Sequence, residues 1–104
     1  MIMYVVSVSV PNDRAAEWET WMTEKHIADV LATDKFISAT LWRVEFPEST
    51  THTRFSVQYL AETMEQYEAY RADFAPALQT DHTNIFGTTV TASREVLNEI
   101  KSWQ

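Results

Sequence analysis

Ile2, Tyr4, Val6, Val8 and Val10 alternate with Met3, Val5, Ser7 and Ser9. A period of two puts the first set on one face of a β-strand and the second set on the other. A strand is therefore predicted over Ile2–Val10. Pro11-Asn12-Asp13 supplies turn chemistry, and Asn12 or Asp13 is placed to cap the helix that follows. From Asp13 the period lengthens. Ala15, Trp18, Trp21, Met22 and His26 recur at helical spacing and form an inward stripe. Asp29 would fall in the middle of that stripe, whereas Ile27, Val30 and Leu31 share a different face. The pattern predicts a bend or break near His26, then a short helical turn to Leu31.

Phe36–Phe46 reads as a second strand, with Ile37, Ala39 and Leu41 on one face and Ser38, Thr40, Trp42 and Val44 on the other. Pro47 to Thr51 is a loop. His52–Leu60 alternates most cleanly: Phe55, Val57 and Tyr59 face one side, and Arg54, Ser56 and Gln58 the other. Thr63-Met64-Glu65-Gln66 is a capping box that opens a second helix. Met64, Tyr67, Tyr70, Phe74 and Leu78 carry its stripe. Pro76 kinks or restarts it, and Leu78, His82, Ile85 and Phe86 continue it. Gly87, the single glycine, stands where a helix end calls for a left-handed backbone. Thr88–Leu97 is the last strand, and a tail with Trp103 follows.

The order β-α-β-β-α-β predicts an α+β fold of the ferredoxin-like class. Its four-stranded antiparallel sheet carries both helices on one face. The chain of 104 residues is expected to be one such domain, 1–104. The other sheet face would hold Met3, Val5, Trp42 and Val44 among hydroxyl-bearing residues. Such a mixed surface is satisfied by a two-fold homodimer through the open sheet face.

Composition narrows the partners. A net charge of −7 lacks the basic footprint that nucleic acid and anionic membranes demand. No cysteine is present, which removes disulfides, thiolate catalysis and Cys-ligated zinc. The first residues lack a basic segment and run directly into the strand pattern, and no apolar run nears the ~20 residues of a membrane span. A soluble cytoplasmic protein is the expectation.

The strings Glu17-Trp18, Trp21-Met22, His26-Ile27-Ala28-Asp29-Val30-Leu31-Ala32-Thr33, Ala39-Thr40-Leu41, Ser56-Val57-Gln58-Tyr59, Ala75-Pro76 and Phe86-Gly87 resemble those of a family of short bacterial proteins of unknown function. Phe36 and Arg43-Val44 belong to the same likeness. The resemblance covers nearly the whole chain, and His26–Thr33 is its most specific part. It implies the dimeric α/β-barrel form of the ferredoxin-like fold. Members often carry proline where this chain has Ala28, which implies a softer bend after His26 here. The wider superfamily includes cofactor-free monooxygenases, haem-degrading enzymes and lactone isomerases. That breadth carries no single reaction over to this chain.

The candidate chemistry centres on histidine. His26, on an apolar helical stripe, suits a general base or a polar anchor in a pocket. The plainer alternative is a core-edge histidine that bonds a carbonyl and closes the helix end. His82 lies on the stripe of Leu78, Ile85 and Phe86 and is a second catalytic candidate. Trp18, Met22, His26, Gln58 and His82 together form the candidate ligand-binding set. For Trp18 the alternative is core packing. For Gln58, with Arg54 and Ser56, it is hydrogen bonding in a dimer interface. His52 reads as a solvated residue. His26 and His82 with Asp29 or Asp81 would be a bare minimum for a metal, but no HExxH or related motif is present. Neither metal nor cofactor is predicted.

Two main readings remain. One is a small homodimer, with a possible small apolar or aromatic ligand, in which aromatics are buried, histidines are hydrogen-bonded and no empty polar cavity exists. The other is a cofactor-free monooxygenase or isomerase with a histidine in a pocket between helices and sheet. The second requires a pocket of ~300 Å³ or more that reaches His26.

Overall fold

The computed structural model describes residues 1–104. Strand β1 (Ile2–Pro11) is followed by a 3-10 turn (Asn12–Arg14), helix α1 (Ala15–Trp21), a π-helical turn (Met22–His26) and helix α2 (Ile27–Leu31). Strands β2 (Ser38–Arg43) and β3 (His52–Ala61), helices α3 (Met64–Asp73) and α4 (Ala75–Phe86) and strand β4 (Thr91–Asn98) complete the chain. The strands form one antiparallel sheet in the order β2-β3-β1-β4. This is the ferredoxin-like arrangement that the order of elements predicts.

Register decides which side chains meet the helices. Val6 pairs with Val57 and with Arg94, and Tyr4 pairs with Tyr59 and with Val96. Ile2, Tyr4, Val8 and Val10 therefore share a face with Phe55, Val57 and Tyr59, and all seven are buried. Trp18, Met22, Val30, Tyr70 and Phe86 close this core from the helical side. A buried large apolar side chain contributes about 1.5–3 kcal/mol, so this one layer holds the fold. The opposite face carries Val5 beside Gln58 and Glu95, and Ser7 beside Ser56 and Ser93. Trp42 lies on that face across from Ser56 and is 54% exposed.

The predicted break near His26 exists as the π turn. The Ile27 N–H reaches back five residues to the Met22 carbonyl. One residue more than an α-turn requires is thereby accommodated without ending the helical run. Trp18 and Val30 are both almost fully buried although twelve positions apart. At about 100° per residue, twelve steps of α-helix would leave them about 120° apart, whereas eleven return to within about 20°. The extra residue absorbs the difference. It also turns Asp29 outward, where it pairs with Lys25 at 2.6 Å.

Several local expectations are corrected. Neither Asn12 nor Asp13 caps α1. The Asn12 amide instead donates to the Thr50 carbonyl, and its oxygen accepts from the Thr53 hydroxyl, which ties the helix entry to the β2–β3 connection. Strand β2 starts two residues after Phe36, because the Phe36 ring turns inward onto Tyr4, Tyr59 and Tyr70. Ile37 is consequently exposed rather than inward. Strand β4 starts at Thr91, not Thr88, since the Thr89 hydroxyl donates back to the Phe86 carbonyl and holds the segment in a turn. The Thr63 cap is formed, with its oxygen accepting from the Gln66 N–H. Pro76 opens α4 after a break at Phe74, and Gly87 sits at φ +63°. No helix is long and apolar enough to cross a membrane.

Candidate functional site

A cavity of about 260 Å³ lies between the helices and the inner face of the sheet. Trp18 from α1, Met22 and His26 from the π turn, and Leu78, Gln79, His82 and Thr83 from α4 supply its helical walls. Tyr4, Val6, Val8, Val57 and Tyr59 supply the sheet side, with Tyr70 from α3 and Ala92 and Arg94 from β4 at the border. Four members of the sequence-derived set, Trp18, Met22, His26 and His82, thus come together.

Gln58 does not join them. It pairs with Val5 and Thr40 on the opposite face of the sheet. Strand parity requires this, because Val57 and Tyr59 point inward. His52 also stands apart, at the start of β3, with its Nδ1 2.8 Å from the Thr51 hydroxyl.

The two histidines differ in how they are held. The Trp18 indole N–H donates to His82 Nε2 over 3.0 Å. A ring nitrogen that accepts carries no proton, so this bond fixes His82 as the neutral Nδ1–H tautomer. Burial lowers the His82 pKa, and the Arg94 charge lowers it further. His26 stacks on the Trp21 ring, with centroids 4.8 Å apart and planes 23° from parallel. Its buried Nδ1 has no hydrogen-bond partner, which departs from the expected carbonyl-bound histidine. Burial first, then the neighbouring His82, bring the His26 pKa down to about 4. The two imidazole centroids are 6.5 Å apart. Both rings are therefore neutral near pH 7.

Burial raises the phenols of Tyr4, Tyr59 and Tyr70, so all three stay protonated donors. The Arg94 guanidinium works against that shift at Tyr4 and Tyr70. No Asp or Glu lines the cavity, although the chain holds 15 of them. No cluster of three His, Asp or Glu that could hold a metal ion is present.

Sequence reasoning missed Arg94 and the three tyrosines as wall residues. The tyrosines carry the ordinary core signal. Arg94 shares its strand face with Ala92 and Val96, and parity with these two apolar residues was the available clue to its inward placement.

Comparison with solved structures gives the same fold. A variant of MhuD, described with two manganese protoporphyrin IX bound per active site, superposes with a TM-score of 0.73 at 18% identity, covering 100% of this chain and 99% of that one. An ethyl tert-butyl ether D (EthD) family protein from Bacillus halodurans gives 0.65 at 12% identity, over 96% and 100% of the two chains. A variant of SnoaB, a cofactor-independent oxygenase from Streptomyces nogalater, gives 0.63 at 12% identity, over 97% and 95%. Identities this low carry architecture and no chemistry. No curated protein sequence matches the chain. Residues 1–100 match the domain of unknown function DUF4286, and the chain belongs to that family.

Proposed function

We propose that this protein binds a small apolar or aromatic compound, of one or two rings, in the cavity between helices and sheet. The observation that carries this reading is the cavity itself, which reaches both neutral histidines and corrects the expectation of a homodimer with no empty polar cavity. Its volume of about 260 Å³ sets the ligand's size. An apolar cavity of about 150 Å³ accepts benzene, and drug-sized ligands occupy roughly 300–1,000 Å³. A porphyrin, as in the MhuD neighbour, does not fit a space of this size. Trp18, Met22 and Leu78 supply apolar wall, while the phenols and imidazoles offer hydrogen bonds to a hydroxyl or carbonyl.

A homodimer through the open sheet face belongs to the same proposal. Trp42 and Leu97 lie on that face, 54% and 47% exposed, with Val44 and Met3 nearby. An aromatic of that size is an interface anchor once a second copy covers it.

Cofactor-free oxygenation or isomerisation is the second reading, supported by the shared architecture with SnoaB and by a cavity that reaches His26, although its volume of about 260 Å³ falls short of the ~300 Å³ this reading calls for. In it His26 is the base or orienter, His82 supports it and Trp18 forms the wall. The pKa of about 4 at His26 weighs against a base, because proton transfer is most efficient when the catalytic pKa lies near the working pH. Binding and orientation are what the neutral rings do best.

The test is a titration of intrinsic tryptophan fluorescence with 2-naphthol, run with thermal shift. Saturable quenching and a raised Tm are expected for the wild type. Ala92→Phe, which fills the cavity from its border, should abolish both without lowering the Tm of the free protein. Absence of any response in the wild type would overturn the reading. Oxygen uptake with phenolic substrates is the readout that would promote the second one.

A further inference from the structure

Resting on the cavity as a binding site, we propose that its natural occupant is an anion: a small aromatic carboxylate whose acid group pairs with Arg94 while its ring lies against Trp18 and Met22. Arg94 belongs to the helix-facing set of β4, across from Val6, and lines the cavity. Its side chain is exposed at the mouth of that space, and its charge acts on Tyr4, Tyr70 and His82.

What sets Arg94 apart among the eight arginines and lysines is its place on the cavity wall. Arg14 pairs with Glu17, Lys25 with Asp29 and Arg43 with Glu19. Arg54 donates to the Pro47 carbonyl, and Lys101 sits over the Trp103 ring. Arg94, like Lys35, Arg54, Arg71 and Lys101, has no carboxylate within ion-pair distance, but it alone of these lines the cavity. No acidic side chain lines the cavity. An acidic protein thus keeps a positive group at the rim of an aromatic-walled space of mixed polarity.

A planar guanidinium with several N–H donors suits a carboxylate, which it can hold through two parallel bonds. The rim supplies the charge recognition and the interior supplies the ring recognition. A neutral ligand would leave Arg94 unpaired. A cationic one would meet a like charge and no counter-charge.

The experiment compares 2-naphthoate with 2-naphthamide, its uncharged isostere, by calorimetry on the full chain. The wild type should bind the acid at least about tenfold more tightly than the amide, the scale of one charge-assisted hydrogen bond. Arg94→Met should bring the two affinities together by weakening the acid alone. Arg94→Lys should keep part of the preference, since it retains the charge and loses the fork. The free-protein Tm and the amide's affinity report whether each variant is still folded. Equal binding of acid and amide by the wild type, or an unchanged preference in Arg94→Met, overturns the anionic ligand and leaves the cavity reading standing. Failure of both probes to bind overturns the two together.

Discussion

The His26 ring sets a measurable response to acid. Its pKa is about 4 in the folded chain against the ordinary 6.5. As pH falls, the unfolded chain takes up the proton first, so folding is penalised increasingly between pH 6.5 and pH 4 and is unpenalised above that window. One unit is worth about 1.4 kcal/mol. Partial solvation of a half-buried ring reduces the full shift to an effect on the order of 2 kcal/mol. Urea unfolding at pH 7.5 and pH 4.5 should therefore show a smaller loss in His26→Gln than in the wild type, by about 1–2 kcal/mol. Equal losses would show that His26 titrates normally. His82 is shifted in the same direction, so the variant keeps some acid sensitivity. Helical spacing put His26 on one stripe with Trp18 and Met22 and His82 on the stripe of another helix, but it could not show that the two stripes meet. The sequence could not exclude Gln58, whose placement depends on which strand face the helices cover. Nor could it show Arg94, because β4 carries a charge and an apolar residue on each face, Arg94 and Val96 on one, Glu95 and Leu97 on the other, so its parity is weakly marked.

At the level of elements, the π turn is the feature that shapes the cavity. Its sequence signal was legible as a failure of the stripe at Asp29. What the pattern could not show was the form of the correction, since a kink, a break and an inserted residue all rescue the same periodicity. Glu24 is exposed within that turn. Deleting it leaves Trp18 and Val30 eleven residues apart, which returns them to within about 20° on an ordinary α-helix. The fold should survive, with far-UV circular dichroism retained and Tm changed by only a few degrees. The wall carrying His26 must shift, and 2-naphthol affinity should fall at least about tenfold, as expected when geometry at a tight site is displaced by an ångström or more. Unaltered affinity would mean that the turn has no part in forming the cavity.

For the whole molecule, the order of strands and the side covered by helices followed from the β-α-β-β-α-β pattern, since right-handed crossovers leave few other solutions. The bare side of the sheet sets the expected assembly. Trp42→Glu places a charge where a second copy should seat an aromatic ring. Sedimentation velocity should find dimers of the wild type at micromolar concentration and a dissociation constant at least about thirtyfold weaker in the variant, the scale of a lost aromatic hot spot. Wild-type chains that sediment singly would remove the dimer. The pocket and this bare side lie on opposite faces of one sheet, with Val57 and Tyr59 pointing one way and Ser56 and Gln58 the other. That separation makes the molecule two-faced in a practical sense: a label or charge placed on Ser56 or Gln58 leaves the wall formed by Val57 and Tyr59 untouched.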